Sequence, residues 1–516
     1  MTQAIQKKLN DSAWARWTAL ILVALTMFFG YMFVDVLSPL QNMLESTRGW
    51  SPTIFGLYGG SEFILNVCGF LLVAGIILDK MGVRFTGILS ASLMVLGAGI
   101  KFYGLSNYFY EGGFGYEFLN SFLTDIPASA KLACLGFMIF GCGTEMAGVT
   151  VSRAIVKWFT GKELALAMGL EMAIARLGVF AVFSLSPWVA NWGGDPSVAR
   201  PVAVVGLLLC IGLLTYIAFS VMDFKLDRQT EADTPIGETE EPFKVADLKN
   251  LFSSKTFLIV SALCVLYYSA IFPFQKYAVN MLQCNLTLVP PEEGSFWASD
   301  LCTYIQYVIM LVVAAGAFAF AFTKNKSVKI PGLIVAIIAL VVYCVMGYMR
   351  QSAAAIFAVF PLLAVGITPV LGSYVDHKGK AASMLVYGAL LLILCHLTFA
   401  FILPMFKGND VGGVAVAFLT ILVLGASFSL VPASLWPSVP KLVDSKIIGS
   451  AYALIFWIQN IGLWLFPLLI GKVLTNTNPE LAQKVAEGAM TEAEASVSYD
   501  YTWPLVMLAC LGVAAL

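Results

Sequence analysis

Residues 141–178 read GCGTEMAGVTVSRAIVKWFTGKELALAMGLEMAIARLG, and this stretch decides how the chain folds. It consists of two apolar runs joined by the short basic turn KWFTGKE, which predicts a hairpin of two membrane-spanning helices. The ionisable residues inside these runs are Glu145, Arg153, Glu171 and Arg176. Each such side chain at bilayer depth costs roughly 2.5–3.5 kcal/mol on insertion scales. Two acids and two bases in one hairpin therefore require a closed ion-pair network, a water-filled cavity or a ligand.

The composition is that of an all-α polytopic membrane protein. Of the 516 residues, 59% are hydrophobic and 12% are charged, whereas a soluble domain carries roughly 25% charged residues. The apolar runs repeat, and they are too long for the strands of a β-barrel. The net charge of −1 gives no reason to expect a nucleic-acid partner, and the ten cysteines show no metal-ligand spacing. No cofactor is expected, and no cleavable signal peptide is evident.

The apolar runs number 14, and we expect them to form two six-helix halves with an inserted helical pair. The first half covers residues 1–222, and the acidic stretch 223–250 is predicted to be a flexible cytoplasmic linker. The second half covers 251–516 and contains the inserted pair at about 304–348. The last run, Trp503–Leu516, is too short to cross the bilayer, so we expect it to be trimmed inside its helix.

The distribution of basic residues supports this alternation, because they fall on one side if 14 spans cross the membrane. These residues are Lys7, Lys8, Lys80, Arg84, Lys157, Lys162, Lys324, Lys326, Lys329, Lys378, Lys380, Lys441 and Lys446. Both termini are therefore predicted to be cytoplasmic. Arg48, Arg350 and Lys407 fall on the opposite side.

The hairpin has a second copy at a constant offset of 284 residues. The matching pairs are Gly141 and Gly425, Lys157 and Lys441, and Gly178 and Gly462. Related halves of this kind typically enclose a transport site near the middle of the membrane. The same offset matches Glu145 to Ser429, Arg153 to Pro437 and Arg176 to Asn460. The scaffold is duplicated but the charge is not, which favours a ligand site with one charged wall.

A second motif lies at the end of the second apolar run, in the spacing GxxxDKxGxR. Its residues are Gly75, Asp79, Lys80, Gly82 and Arg84, and a degenerate copy carries Asp376, Gly379 and Lys380. Asp79 and Arg84 flank a glycine turn, where they are expected to pair with neighbouring helix ends and favour one conformation. The motif resembles motif A of the major facilitator superfamily, which implies that superfamily's fold.

Within that superfamily, the central stretch resembles the major facilitator superfamily domain-containing protein 1 group. This group consists of lysosomal dipeptide transporters. The resemblance rests on GTE at 143–145, WFTGKEL at 158–164, ARLG at 175–178, YYSAIFPF at 267–274 and IQNIG at 458–462. It implies that an acid receives the amino terminus of a peptide and that an arginine receives its carboxylate, and Glu145 and Arg176 match these positions. The chain differs in its inserted helices and in having no evident sorting tail. A plasma (inner) membrane is therefore favoured over the lysosome, and no obligate protein partner is predicted.

The predicted substrate contacts line two facing walls. They are Glu145, Arg176, Arg153, Tyr31, Tyr267, Tyr268, Lys276, Trp436, Gln459 and Asn460. Acids at Asp35, Glu62 and Glu171 are the predicted coupling residues if protons accompany the substrate. Cys284 and Cys302 fall in one outer loop, where an oxidising compartment would allow a disulfide.

These features predict an alternating-access transporter of dipeptides or similar small zwitterions within a lipid bilayer. Facilitated diffusion and proton symport both stay open. The alternative is an organic-anion carrier whose cavity is lined by Arg153, Arg176 and Lys276. A transporter-like receptor would need a signalling domain, and an enzyme would need a nucleophile–base pair, a zinc motif or a phosphate loop. The sequence contains none of these.

Overall fold

The computed structural model describes residues 8–230, 251–323, 325–378, 380–439, 442–443 and 448–516. These residues form helices and turns, with no strand among them. Most of the predicted linker, residues 231–250, lies outside the described residues. So do Gly379, Lys441 and the side chain of Asp376, so the degenerate motif copy stays a prediction.

The N-terminal half, residues 8–230, contains six long helices. They are α1 (Ala13–Val34), α2 (Pro52–Leu65), α3 (Leu71–Leu105), α4 (Ala128–Phe159), α5 (Leu164–Ala190) and α6 (Ala199–Thr230). A single π-helical turn, Asn66–Phe70, joins α2 to α3. The α3 helix breaks at Gly82, whose φ of 73° lies in the left-handed region that favours glycine. The predicted motif turn is therefore present, and the chain reverses there without a separate loop.

The described residues of the C-terminal half, within 251–516, form eight long helices. They are α7 (Lys255–Asn285), α8 (Asp300–Phe322), α9 (Lys326–Met349), α10 (Val359–Lys378), α11 (Ala381–Leu397), α12 (Asp410–Ser438), α13 (Ile448–Thr477) and α14 (Thr502–Ala515). The α8–α9 pair occupies the region predicted for the inserted helices. Its two helices meet where Gly316 and Gly332 let their backbones approach.

Eleven helical segments of the described chain are long and apolar enough to cross a membrane. One of them, Pro52–Leu105, has 54 residues and contains the break at Gly82. Two shorter apolar helices, Ala353–Thr368 and Thr502–Ala515, accompany these segments. The all-α polytopic fold is thus confirmed, and the count of 14 spans stays a prediction.

The end of α6 corrects the predicted boundary of the linker. The helix continues past residue 222 to Thr230, so Asp223 and Asp227 are helical residues. The Asp223 side chain is fully buried, and both carboxylates accept from Lys157 of α4, at 2.7 Å and 2.6 Å. Pairing with a cation on a neighbouring helix explains why an acidic sequence continues the helix here.

We call the end of the bundle that holds Gly82 and Lys157 the motif end, and the other the opposite end. At the opposite end the two halves touch backbone to backbone. A β-carbon at Gly56 or Gly60 of α2 would overlap the carbonyl oxygens of Pro467 and Trp464 of α13. The Tyr277 hydroxyl of α7 lies within hydrogen-bond distance of two carbonyl oxygens, those of Pro52 (2.9 Å) and Pro467 (3.0 Å), which share its single hydrogen. The opposite end is therefore closed.

Candidate functional site

Tyr31 of α1 lies beside the arginine of the predicted hairpin, because the Arg176 guanidinium of α5 contacts its ring. Glu145 of α4 also interacts electrostatically with the Tyr31 hydroxyl, as do Glu171 and Glu62. The predicted acid and the predicted arginine therefore both lie in the wider surroundings of Tyr31.

The guanidinium of Arg176 is held by aromatic rings. Its central carbon lies 5.5 Å from the ring of Tyr31, 5.3 Å from that of Phe272 and 5.1 Å from that of Phe428. Among the described residues, no carboxylate lies within 4.0 Å of it. Cation–π contacts fix the position of the group without using its hydrogen-bond donors. Arg176 therefore keeps its planar set of donors free for an anionic group.

The carboxylate of Glu145 faces the other half of the molecule. Its polar neighbour is the Asn460 amide of α13, and the buried Nδ2 of Asn460 makes no hydrogen bond within the described residues. No cation lies within 4.0 Å of Glu145 among the described residues, so Glu145 and Arg176 do not form a salt bridge with each other. Within the described residues, the acid and the base therefore each lack an ionic partner.

The C-terminal wall of the site is aromatic. The indole of Trp436 donates to the Tyr268 hydroxyl at 2.9 Å, and Tyr268 stacks on Phe272 with the ring centroids 5.4 Å apart. Gln459 is buried beside them and accepts from the thiol of Cys264 at 3.5 Å. The predicted residues Tyr268, Trp436, Gln459 and Asn460 therefore belong to one wall.

The position of Tyr267 differs from the predicted position in the wall of the site. Its ring is buried and its hydroxyl bonds to Ser427 Oγ at 2.8 Å, while Ser427 donates to the Gly388 carbonyl of α11 at 2.8 Å. Adjacent helix residues point about 100° apart, so when Tyr268 faces the site, Tyr267 packs inside the C-terminal half. It supports the wall without lining it.

The position of Arg153 also differs from the predicted position in the site. Its guanidinium pairs with the Asp79 carboxylate of the α3 motif, and both side chains are about one-third exposed. Two turns of α4 separate Arg153 from Glu145, and this rise of about 12 Å carries it away from the site. Arg153 is therefore a partner of the motif at the motif end.

The rest of the motif also pairs within the N-terminal half. Arg84 lies 3.3 Å from Asp227 and 3.9 Å from Asp223, whereas Lys80 is exposed. Near the same end of α4, Lys162 donates to Asp11 Oδ1 at 2.9 Å, and this hydrogen bond lowers the pKa of the Asp11 carboxyl. The motif thus ties the break in α3 to α4 and α6, and its role in favouring one conformation stays a prediction.

At the opposite end, two bonds join acids of the N-terminal half to α7. Asp35 accepts from Ser38 Oγ at 2.8 Å and from Gln275 Nε2 at 2.6 Å. Glu62 pairs with Lys276, the Nζ–Oε2 distance being 3.6 Å, and both side chains are less than a tenth exposed. Lys276 is thus occupied by an acid and does not present a free cation to the site. The predicted role of Lys276 in substrate binding is corrected to a contact between the halves.

Lys101 is a buried charged residue that the sequence analysis missed. Its side chain is fully buried in α3, and its Nζ lies 4.3 Å from the ring of Phe33, 4.4 Å from that of Phe137 and 5.0 Å from that of Tyr58. The Nζ makes no hydrogen bond within the described residues. The signal in the sequence is a lysine four residues before the end of an apolar run, among glycines and aromatics.

The predicted disulfide is not formed, because Cys284 and Cys302 are both free. The Cys284 thiol contacts Asn280 Oδ1 at 3.8 Å inside α7, whereas Cys302 lies in the first turn of α8. The two thiols therefore lie on different helices with different neighbours. No group of three potential metal ligands occurs among the described residues.

Comparison with known proteins identifies the family of this chain. The sequence profile described as Major Facilitator Superfamily matches residues 20–350, which is more than half of the chain. The chain belongs to the major facilitator superfamily. Membership of this superfamily agrees with the all-helical fold, and the insertion of α8 and α9 stays a prediction.

Curated relatives of this major facilitator chain carry the name lysosomal dipeptide transporter MFSD1. The Homo sapiens protein is 23% identical over 471 residues, covering 89% of this chain and 80% of the relative. The Danio rerio protein is 25% identical over 468 residues, with the same two shares. The Bos taurus protein is 26% identical over 347 residues, which is 66% of this chain and 58% of the relative, so that match spans little more than half of the bovine protein.

Solved structures share the fold at low identity. The nucleoside transporter NupG has a TM-score of 0.58 and 13% identity, covering 96% of this chain and 98% of that one. The tetrameric PepTSo2 structure has a TM-score of 0.55 and 12% identity, covering 97% and 96%. These likenesses bear on the fold alone.

Proposed function

We propose that this major facilitator chain transports dipeptides, or zwitterions of similar size, by alternating access. One observation carries the proposal: aromatic rings hold the Arg176 guanidinium, and neither it nor the Glu145 carboxylate has an ionic partner within 4.0 Å among the described residues. Ionisable side chains at this depth are costly without partners. A ligand with one cationic and one anionic end would supply both.

Each end of such a ligand meets suitable chemistry. A peptide carboxylate accepts two parallel hydrogen bonds from a guanidinium, which stays charged at any physiological pH. The ammonium group would donate to the Glu145 carboxylate, and the neighbouring Asn460 amide could donate to an acceptor of the same ligand. The names of the MFSD1 relatives point to the same substrate class.

The organic-anion carrier is the weaker candidate because its three cations do not share one cavity. Arg153 pairs with Asp79 and Lys276 with Glu62, so only Arg176 is available for an anion. A single arginine surrounded by aromatic rings suits one carboxylate better than a dicarboxylate.

We further propose that the motif end faces the cytoplasm and that the protein resides in a plasma (inner) membrane. The basic residues Lys80, Arg84, Lys157 and Lys162 lie at that end, in agreement with the positive-inside tendency. With the opposite end closed, the conformation described here then opens toward the cytoplasm. This orientation can be tested with single cysteines introduced at Glu292 and at Lys80. Each variant is labelled in whole cells with an impermeant maleimide. Only the cysteine at position 292 should react.

Substrate counterflow in proteoliposomes tests the transport function. Vesicles loaded with unlabelled dialanine should accumulate labelled dialanine transiently, whereas vesicles loaded with N-acetyl-dialanine, dialanine amide or succinate should not. Counterflow with succinate, or equal counterflow with the acetylated peptide, would contradict the zwitterion proposal and favour the anion carrier.

A further inference from the structure

A second polar cavity lies at the opposite end of the bundle, and none of its lining residues belongs to the site around Arg176. Its volume is about 410 Å³, within the range of roughly 300–1,000 Å³ that is usual for small-ligand sites. One wall is the end of α5, with Trp188 and Trp192. The other wall is formed by the start of α8 and the end of α9, with Asp300 and Arg350. The cavity therefore lies between the N-terminal half and the α8–α9 pair.

The cavity contains an acid and a base that do not neutralise each other. No ion pair within 4.0 Å involves Asp300 or Arg350 among the described residues. The Arg350 guanidinium donates to two neutral acceptors, Gln306 Oε1 at 2.6 Å and Thr303 Oγ1 at 2.8 Å. The indole of Trp188 donates to Asp300 Oδ1 at 2.7 Å. Both charged groups are thus positioned by neutral partners, and each has donors or lone pairs left for a ligand.

The turn that carries Arg350 has an unusual backbone. Gln351, the next residue, has a φ of 50°, in the left-handed region that residues other than glycine rarely adopt. The amide of Gln351 donates to the Tyr348 carbonyl at 2.9 Å, so the chain turns sharply where α9 ends. Backbone conformations of this kind are concentrated at binding and active sites. The turn holds Arg350 beside the cavity.

The cavity lies at the depth of lipid headgroups. Asp300 is the first residue of α8, Arg350 directly follows α9, and Trp188 is two residues from the end of α5. The α8 and α9 helices have 23 and 24 residues, which gives them a length of about 35 Å. Their ends therefore extend just past the hydrocarbon core of about 30 Å. Tryptophan is enriched at this depth in membrane proteins.

An exposed apolar stripe on α8 begins beside the cavity. Leu301, Tyr304, Val308 and Leu311 are exposed, and their spacing places them on one face of the helix. The ring of Tyr304 contacts that of Trp188, with the ring centroids 5.7 Å apart. A molecule whose polar group occupies the cavity has room for an apolar chain along this stripe. This continuity favours a membrane lipid over a soluble ion.

We propose that this cavity binds the headgroup of a phospholipid that carries a primary ammonium group, such as phosphatidylethanolamine, in the leaflet at the opposite end. The phosphate accepts hydrogen bonds from the Arg350 guanidinium, whose planar donors suit two phosphate oxygens. The ammonium donates to the Asp300 carboxylate and lies against the indoles of Trp188 and Trp192, whose ring centroids are 5.2 Å apart.

The same geometry selects against other headgroups. A purely anionic headgroup such as that of phosphatidylglycerol brings no cation to Asp300. A choline headgroup carries a cation but has no N–H to donate to that carboxylate. The preference for the ethanolamine headgroup thus depends on Asp300, whereas the affinity for any phosphate depends on Arg350. The proposal does not depend on which substrate the central site takes.

Native mass spectrometry of the purified, delipidated full chain tests the proposal. The protein is titrated with phosphatidylethanolamine, phosphatidylcholine and phosphatidylglycerol that have identical acyl chains. Wild type should bind one phosphatidylethanolamine about tenfold more tightly than either other lipid, because one charged hydrogen bond separates them. Arg350→Met should weaken the binding of this lipid about tenfold or more. Asp300→Asn should bring phosphatidylethanolamine and phosphatidylglycerol to within about twofold of each other.

Two matched controls separate the cavity from the rest of this end. Asp410 is the first residue of α12, as Asp300 is of α8, and Lys407 is an exposed cation nearby. Neither residue lines the cavity, so Asp410→Asn and Lys407→Met should bind the three lipids as wild type does. Asp300 is exposed, and its replacement keeps an acceptor for Trp188. Asp300→Asn therefore tests the proposal even if Arg350→Met does not fold.

Three results would overturn the proposal. The first is equal affinity of wild type for the three lipids, or an ethanolamine preference that Asp300→Asn retains. The second is binding of water-soluble glycerophosphoethanolamine or inorganic phosphate as tightly as the lipid, which would make this a site for a soluble phosphate. The third is displacement of the lipid by dialanine in Arg176→Ala, which would make the cavity a second peptide site.

Discussion

Asn460 of α13 faces Glu145 of α4 across the boundary between the halves, and Asn460 is the residue that the 284-residue offset matches to Arg176. The converse contact exists as well, because Arg176 lies against Phe428, next to Ser429, the match of Glu145. Helix α4 of one half therefore faces the equivalent of α5 in the other. Duplication placed two equivalent pairs around the site, and only the N-terminal copy carries charge.

This geometry predicts a specific role for the Asn460 amide. Asn460→Ala should weaken dialanine binding roughly fivefold, because a hydrogen bond to the ligand contributes about 1 kcal/mol. Isothermal titration on the purified protein measures the affinity. An affinity equal to that of wild type would mean that Asn460 only fills space beside Glu145.

Arg153 and Asp79 should affect conformational exchange and not substrate affinity. Arg153→Met and Asp79→Asn each break the pair that joins α4 to the motif, so the transport rate should fall while the dialanine dissociation constant stays within about twofold, the pair being two helical turns from the site. The double exchange Arg153→Asp with Asp79→Arg should recover part of the rate. A large loss of affinity in Arg153→Met would return this residue to the substrate site.

The glycines of α2 should control closure of the opposite end. Gly60→Leu places a side chain against the Trp464 carbonyl, and overpacking of this kind costs about 1–3 kcal/mol, so the open conformation should gain population. A cysteine pair at Thr53 and Thr475, whose hydroxyls lie 3.0 Å apart, should then crosslink more slowly. Gly99→Leu, with no atom near its side-chain position, is the control. Equal crosslinking rates in both variants would contradict the closure contact.

Tyr267 and Tyr268 should separate stability from binding. Tyr267→Phe removes a buried hydrogen bond to Ser427 and should lower the free energy of unfolding by about 1 kcal/mol without changing dialanine affinity. Tyr268→Phe removes the bond to Trp436 inside the site and should weaken binding as well. Thermal melts with and without dialanine distinguish the two. An affinity loss in Tyr267→Phe would place that ring in the site.

Local patterns were sufficient to predict the all-α fold, the hairpin around Lys157 and the turn at Gly82. Helix length, basic turns and a glycine at a positive φ are properties of a few consecutive residues, so they can be read without knowing the packing. Glu145 and Arg176 stand out for a similar reason, since an ionisable residue inside an apolar run is costly without a partner, and their role in binding stays a prediction.

The partners of the charged residues could not be read from the sequence. Arg153 lies on the same helix as Glu145, and its pairing with Asp79 depends on how α3 and α4 pack. Lys101 lies near the predicted end of a span, where a lysine ordinarily extends to the interface. Only the positions of Phe33 and Phe137 on other helices show that it is enclosed. The role of Tyr267 could not be read from the sequence either. It differs from Tyr268 only in the direction in which its side chain leaves α7.

The most direct test of the zwitterion clamp measures how each end of the ligand depends on each residue. Dissociation constants for dialanine, N-acetyl-dialanine and dialanine amide are compared in wild type, Glu145→Gln and Arg176→Ala. In wild type, removal of either charge should weaken binding by roughly 1.5–3 kcal/mol, the range for charged hydrogen bonds. Acetylation should have little further effect in Glu145→Gln, and amidation little further effect in Arg176→Ala. Losses that simply add in every combination would contradict a clamp made by these two side chains.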